Sequence, residues 1–481
     1  MELIGRFGES RHIERLLKSS NSELLAVYGR RRVGKTFFIR ETLKNKIDFQ
    51  ITGLFESNLE EHMTLWANKI SKNSGNKLSV AIPKNWFEAF QQLEDLISQK
   101  RKSKHKKVIF LDEIPWMATN KSRFLTAFTS FWNDFASARQ DILVIICGSS
   151  ASWMINKILK NKGGLHNRVT AKIPMFPFDL NETELFLKQK NIILDQYSIT
   201  QLYMVMGGIP FYLDQINEGE SATQAINRLC FKNGGLLKTE YSELFASLFI
   251  NSDKHIKIIK ALSSKKNGLN RDELLSKTKF KSGGGFTQIL DELITSGFVS
   301  IYIPFKRKKK DSVYKLTDAY SLFYLKYIDN QTIGDVNNWD KISKSSSWKS
   351  WSGLAFENLC MNHIQQIKMA LNIQYIETSS SNWQHKGNDD MVGAQVDLVI
   401  NRADGIVNLC EMKYSINSFS ITADYSKKLN QKTTSFNHFT KNKKAIHQCI
   451  ITTNNLIQNK YSSIIQNVVT LKDLFEKDIT K

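Results

Sequence analysis

Apolar positions along the chain fall into blocks of different rhythm, and their order divides the sequence. Through residues 1–178, short unbroken apolar runs alternate with stretches of helical spacing. That alternation predicts strand–helix–strand units and a parallel sheet. The runs Leu24–Tyr28, Val108–Leu111 and Ile142–Cys147 are read as strands. They contain no polar alternation, as expected of strands covered by helices on both faces. Residues 179–253 read as helices with a break at Gly207-Gly208-Ile209-Pro210. Residues 254–327 give two short helices (Ile256–Leu262 and Asp272–Lys277), the glycines Gly283–Gly285, a third helix (Phe286–Ser296) and two strands (Phe298–Ile303 and Ser312–Leu316). Residues 328–350 carry Asn337-Asn338 and Ser345–Ser347 and predict a linker. A further unit, 351–481, starts at Trp351 with a helix and continues in strands. No internal repeat is visible. The basic run Lys100–Lys107 reads most simply as a solvated loop before a strand.

The strongest chemical signal lies after the first strand. Gly29-Arg30-Arg31-Arg32-Val33-Gly34-Lys35-Thr36 has the spacing of a phosphate-binding P-loop at every defined position, and Phe37 continues into a helix. Glycines let backbone N–H groups curl around phosphate oxygens, and the helix N-terminus adds partial positive charge. In this reading Lys35 meets the β- and γ-phosphates, and the Thr36 hydroxyl completes a Mg²⁺ shell. The ligand expected is ATP, with GTP the less favoured alternative.

Val108–Leu111 delivers two carboxylates, Asp112 and Glu113, to a strand end. Asp112 is placed to support Mg²⁺ and Glu113 to polarise an attacking water, which favours hydrolysis over binding alone. The third strand ends in Gly148-Ser149-Ser150. Ser149 could sense the γ-phosphate there; the alternative is an ordinary strand-ending turn. Arg168 could supply positive charge to the transition state, in cis or, in a homo-oligomer, to a neighbouring subunit. The alternative for a lone arginine is a surface salt bridge.

A second chemistry appears in the last unit. Glu357 lies on the helix expected to run to about Leu371. The run Ala394–Ile400 carries Asp397, and Val407–Lys413 carries Glu411 and Lys413. A two-residue turn at Asp404-Gly405 would set Asp397 opposite Met412. A three-residue turn, Ala403–Gly405, sets it opposite Glu411 and uses Gly405 in the left-handed conformation that such turns want. The three-residue register is therefore expected. It puts Asp397, Glu411 and Lys413 on one face. Two carboxylates on neighbouring strands can chelate Mg²⁺, and the lysine can hold an attacking water or neutralise a phosphate. Asp424–Phe439 reads as a helix with Asp424 as N-cap. Its stripe of Tyr425, Leu429, Lys432, Phe436 and Phe439 holds one lysine, and Lys432 could meet the carboxylates or a phosphate. The alternative is a lysine that snorkels at the stripe edge.

Charge adds a partner to this picture. Lys plus Arg is 67 and Asp plus Glu is 46, a net charge of +21. A surface that basic attracts polyanions, nucleic acid first among them, although a merely solvated basic surface is the plainer explanation. Lys306-Arg307-Lys308-Lys309-Lys310 forms a cationic tip between the two strands of residues 254–327, suited to touching phosphates. Five widely spaced cysteines without a CxxC exclude a zinc ribbon and argue against a disulfide framework. The chain has no signal-like N-terminus and no run of 18 apolar residues, so a cytoplasmic protein without a membrane span is expected.

Several of these segments are familiar together. Gly5-Arg6 with Glu9, the Gly29–Thr36 loop, Leu111–Trp116, Ile146–Ser150, Gly207–Pro210 and Tyr314–Asp318 resemble the archaeal-type AAA+ ATPases close to the STAND signalling class. The resemblance implies an ATPase domain over 1–178, a helical lid over 179–253 and a winged helix over 254–327. The arginine finger of that family is not fixed by a rigid motif. Glu357, Asp397, Glu411 and Lys413 resemble the PD-(D/E)xK restriction-endonuclease-like nucleases, in which a helical Glu precedes a strand Asp and a Glu-x-Lys. That resemblance implies a metal-dependent nuclease domain over 351–481, of a kind known to follow such ATPases. The fold class expected is therefore α/β: a P-loop parallel sheet with helical lid, a winged helix and a C-terminal α/β domain. Two rival functions stay open, a STAND-like ATP switch with a non-cutting C-terminal interaction domain, and a DNA-binding regulator acting through its winged helix.

Overall fold

In the computed structural model, which describes residues 3–74, 80–100, 105–119, 121–160, 163–165, 167–249, 251–329, 339–389 and 391–479, the chain divides into two units, 1–176 and 177–481. The first unit is built on five strands: β1 (Glu23–Tyr28), β2 (Ile47–Thr52), β3 (Lys107–Asp112), β4 (Ile142–Gly148) and β5 (Ala171–Pro174). They lie in the order β2-β3-β4-β1-β5, and every pairing is parallel. β3 and β4 are buried at every residue, which is why their sequences are unbroken apolar runs. β2 and β5 form the two edges and alternate in burial, so neither shows such a run, and the apolar pattern alone does not reveal them.

Alternate residues of the central strands (Leu24 and Ala26, Ile109 and Leu111, Ile142 and Val144) face one aromatic layer. Helices Leu59–Ser74, Trp86–Gln99 and Phe124–Ser130 supply it through Trp66, Trp86, Phe90, Phe124 and Phe128. The rings of Trp86 and Phe124 meet edge-on at 4.8 Å, an arrangement that stabilises beyond the area buried. Asn85 caps the second of these helices, its side chain accepting from the backbone N–H of Phe87 and Glu88. In the basic run before β3, residues 101–104 lie outside the described residues. Lys106 and Lys107 correct the expectation of a solvated loop, because both are buried. The Lys107 ammonium donates to the Ile97 carbonyl at 3.0 Å and lies 3.5 Å from Asp141.

The second unit opens with helices, among them Leu180–Gln189, Gln196–Met206 and Leu236–Leu248. Three more helices follow, Ser252–Ser263, Arg271–Thr278 and Gly284–Thr295, and then an antiparallel hairpin of β6 (Val299–Tyr302) and β7 (Val313–Leu316). Of the expected linker, residues 330–338 lie outside the described residues. The remainder after them is helical rather than a connector, in Trp339–Ser343 and Ser346–Asn362. Its serines include a cap, since the Ser345 side chain accepts from the Trp348 N–H. Its tryptophans are buried: Trp339 meets Trp348 edge-on at 4.6 Å, and Trp339 and Trp351 both pack on Phe323. The helix expected to reach about Leu371 breaks at His363 and resumes as Ile364–Ala370.

The C-terminal part holds a mixed sheet. β8 (Thr378–Gly387), β9 (Val392–Arg402) and β10 (Ile406–Lys413) are antiparallel neighbours. After the short β11 (Phe419–Ser420), β12 (Ala445–Thr452) runs parallel to β10. β13 (Leu456–Ile457) pairs with β11, and β14 (Asn467–Thr470) runs parallel to β12 and closes the order β14-β12-β10-β9-β8. The β9–β10 register runs from Val407↔Asn401 to Cys410↔Leu398, which leaves Ala403-Asp404-Gly405 as the turn. Gly405 has φ +87°, so the left-handed place is taken by the residue that accepts it without strain. The next pair in this register is Glu411 opposite Asp397. Helix Ser346–Asn362 packs on β10, and helix Ala423–Thr440 packs on β9. The latter is capped by Thr422 rather than by Asp424. Among the described residues, no helix is long and apolar enough to cross a membrane.

Candidate functional site

The first candidate site follows from strand order. β1 is flanked by β4, and β4 by β3, so the segments leaving these three strands come out side by side. The loop Gly29–Gly34 joins β1 to the helix Lys35–Thr42. A Cβ on Gly29 would lie 2.2 Å from the Met175 carbonyl oxygen, a backbone atom that cannot turn away. Arg30, Val33 and Lys35 are buried, Arg31, Arg32 and Thr36 are half-buried, and Phe37 is exposed. The Lys35 ammonium donates to the carbonyls of Gly29 and Arg30 at 3.0 and 2.9 Å and so arches over the loop.

The Thr36 hydroxyl donates to Asp112 Oδ2 at 2.8 Å. These two oxygens form a hard donor pair beside the loop, the chemistry that Mg²⁺ takes. Asp112 is almost wholly buried, and its other oxygen accepts from the Glu113 N–H at 3.1 Å. Glu113 has φ +50°, and Arg32 in the loop has φ +73°. Such conformations cost energy in residues with a Cβ and persist only where the surroundings enforce them. Glu113 Oε2 accepts from both the backbone N–H and the hydroxyl of Ser149, at 2.9 and 2.8 Å. Ser149 therefore touches the carboxylate directly, a contact that spacing alone does not reveal. Arg168 lies exposed in the turn after Leu165. Among the described residues, no contact joins it to Thr36, Asp112, Glu113 or Ser149.

The second candidate site gathers on the C-terminal sheet. Asp397 on β9 accepts from the Met412 N–H at 3.1 Å. Glu411 on β10 is 4% exposed. Its Oε1 accepts from the Lys432 ammonium at 2.5 Å, its Oε2 accepts from the Tyr425 hydroxyl at 3.3 Å, and Lys413 stands 3.8 Å away. Lys413 also lies over the Tyr425 ring. The lysine in the apolar stripe thus meets a carboxylate rather than snorkelling. Glu357, in the middle of helix Ser346–Asn362, pairs with Lys266 at 3.0 Å.

Burial pushes the carboxyls of both Glu357 and Glu411 above the usual carboxylate range, and the Asp397 charge pushes them further. Lysines oppose the rise, Lys266 and Lys315 at Glu357 and Lys432 and Lys413 at Glu411. Burial in turn pulls the Lys315 ammonium down, while Glu357 and Asp397 hold it up. Asp397 therefore acts on both other carboxylates, and each outer one is closed by a lysine. Among the described residues, no group of three or more His, Cys, Asp or Glu side chains is placed to hold a metal ion. Asp397 and Glu411 on opposed positions remain the pair whose chemistry fits one. Lys266 and Lys315 were not singled out in the sequence, because they sit far from the quartet along the chain and in no motif.

Comparison with known proteins places the first site. Residues 4–216 match a family described as an ATPase domain predominantly from Archaea. Over 391 residues the chain is 23% identical to the uncharacterized protein MJECL04 of Methanocaldococcus jannaschii, covering 80% of this chain and 82% of that protein. It is 22% identical over 318 residues to the uncharacterized ATP-binding protein MJ1659 of the same organism, covering 57% of this chain and 86% of that one. Among solved structures, a Walker-type ATPase of Pyrococcus abyssi aligns over 67% of this chain and 96% of its own, with TM-score 0.49 and 17% identity. The ORC2 protein of Aeropyrum pernix, in ADPNP and ADP complexes, aligns with TM-score 0.44 and 15% identity, over 67% of this chain and 93% of that one. The residues matched by the family include the whole of Gly29–Thr36 and the Asp112-Glu113 pair, so the chain contains a P-loop ATPase domain.

Proposed function

We propose that this protein hydrolyses ATP in its first unit and couples that cycle, through a winged helix over 254–327, to a Mg²⁺-dependent nuclease-like domain over 351–481 acting on nucleic acid. On the ATP side the loop N–H groups and Lys35 bind the phosphates, Thr36 and Asp112 hold Mg²⁺, and Glu113 takes the proton of the attacking water. Ser149, bonded to Glu113 at both its N–H and its hydroxyl, orients that carboxylate. An exposed Arg168 suits a role toward a neighbouring copy in a homo-oligomer better than one toward its own nucleotide.

The observation that carries the nuclease reading is the β9–β10 register, whose next step opposes Asp397 to Glu411 with Lys413 two residues on. A divalent ion held by those carboxylates would activate a water and stabilise charge on a phosphate. Lys413 and Lys432 would neutralise the phosphate, and Glu357 would hold the far side of the group. The test is incubation of supercoiled plasmid with Mg²⁺ or Mn²⁺, with and without ATP. Nicking by the wild type and its loss in Glu411→Ala support the reading, and no metal-dependent nicking by the wild type removes it.

A second reading is favoured by one observation. Each outer carboxylate is already closed by a lysine, Glu357 by Lys266 and Glu411 by Lys432. A domain so neutralised would serve an ATP switch as a non-cutting interaction module.

A further inference from the structure

The cationic tip of the β6–β7 hairpin does not stand free. Phe305 donates its N–H to the Asn382 carbonyl on β8 at 3.0 Å, and its ring packs on Phe436 at 5.1 Å. The Lys306 ammonium donates to the Thr440 carbonyl at 2.6 Å. These contacts pin the hairpin against the edge strand of the C-terminal sheet. Between the two lies a groove of 810 Å³. One wall is the chain leaving β6, and the other is the start of β8 with the loop that precedes β12.

The chemistry of the groove is one-sided. Five cationic side chains line it, Lys306, Arg307, Lys441, Lys443 and Lys444, and among the described lining residues none is acidic. Lys306 and Lys444 are engaged by the walls, since Lys444 donates to the Asn401 side chain at 2.8 Å. Arg307, Lys441 and Lys443 are exposed on opposite rims. Between the rims, β8 presents the exposed hydroxyls of Ser379 and Ser380. Ile301 and Ile303 add an apolar strip, 46% and 43% exposed. Cations on both rims fix a polyanionic backbone by position, hydroxyls donate to phosphate or sugar oxygens, and an exposed apolar strip suits the less polar sugar and base surface.

We infer that this groove is a binding site for a polynucleotide strand, held by its phosphodiester backbone. The inference rests on the nucleic-acid part of the proposed function and not on cleavage. It also moves the contact away from the tip itself, because Lys308, Lys309 and Lys310 do not line the groove.

The test uses the full chain and fluorescent oligonucleotides of about 20 nucleotides, as single-stranded DNA, duplex DNA and RNA, titrated at several salt concentrations. Arg307→Glu/Lys441→Glu/Lys443→Glu is compared with Lys308→Glu/Lys309→Glu/Lys310→Glu, which changes the net charge equally. The groove variant should weaken binding by roughly 30-fold or more near 100 mM salt and lower the salt slope by about two to three. The tip variant should lose several-fold less. A tip variant that loses as much as the groove variant, or a groove variant that binds like the wild type, overturns the inference. So does competition by millimolar inorganic pyrophosphate that abolishes oligonucleotide binding, since the site would then hold a small anion. A wild type that binds none of the three oligonucleotides sinks the nucleic-acid reading itself. Glu411→Ala that binds normally without cutting leaves this inference standing and tests only the other. Unchanged melting and unchanged ATP turnover in the absence of nucleic acid show that the variants are folded.

Discussion

The two candidate sites assemble polar groups in opposite ways. In the first unit the parts come from three adjacent parallel strands, and they satisfy one another: Lys35 arches over loop carbonyls, Thr36 meets Asp112, and Ser149 meets Glu113. In the C-terminal sheet three carboxylates crowd together, and lysines from three other places in the chain neutralise them. Lys432 comes from a helix, Lys266 from the turn after another helix, and Lys315 from β7. A parallel sheet supplies a site at its strand ends by topology alone. A mixed sheet with a buried acidic pair needs charges brought to it, because an unpaired buried charge is expensive.

The difference can be broken most sharply at Lys35. Its ammonium serves the ligand in the ATPase reading, so Lys35→Ala should weaken ATP binding by about 1,000-fold, near 4 kcal/mol, with little change in melting temperature. Isothermal titration with ATP reads the first quantity and differential scanning calorimetry the second. Tight ATP binding by the variant would contradict the assignment of the loop. Glu113→Gln comes next. Binding should persist while turnover falls about 100-fold, since the carboxylate is lost as a base but the Ser149 contact can be kept. Wild-type turnover would take Glu113 out of the chemistry.

Lys432 tests the opposite case, a lysine that serves stability first. Glu411 is 5% exposed in its side chain and Lys432 27%. Removing the ammonium in Lys432→Met leaves a buried carboxylate with Lys413 alone, at a cost of about 2 kcal/mol at neutral pH. Denaturant unfolding measures it. An unchanged midpoint would show that Lys432 does not hold Glu411, and the contrast between the two sites would lose its basis.

How much of this was legible in the sequence follows from the same contrast. The phosphate loop is contiguous, so its residues and its flanking strand and helix could be read directly. The β9–β10 register could be read because turn length and Gly405 leave one arrangement without strain. The contact of Ser149 with Glu113 could not, since it depends on β4 lying next to β3. Lys266 and Lys315 were invisible for a related reason: nothing in a local pattern announces a partner that tertiary packing brings in. The stretch before Trp351 misled in the other direction. Serines that serve as a helix cap look like linker composition, and Trp339 and Trp348 are too sparse to register as an apolar stripe although both are buried.

The smallest expected effect compares a surface pair with the buried one and turns on the sign of two pKa shifts. Asp141, 39% exposed, is held down to about 2 from its ordinary 3.8, mainly by hydrogen bonding to Arg139. A depressed carboxyl contributes stability that is present above its unfolded value and lost as pH falls toward the folded one, here between about 4 and 2. Solvent screening keeps that contribution to about 1 kcal/mol. Asp141→Asn should therefore lower stability slightly at neutral pH and flatten the acid limb. Glu411 has the opposite sign. Its carboxyl is raised by burial, then by Asp397, so its contribution is present below 4.5 and is lost as pH rises through the folded value. Glu411→Gln should remove that loss, and its stability relative to wild type should improve as pH climbs from 5 to 8. Unfolding curves for both variants across pH 3 to 8 read the two slopes together. Slopes of the same sign would mean that Glu411 is not held as a raised, crowded carboxyl, and the acidic pair on β9 and β10 would then be an ordinary solvated one.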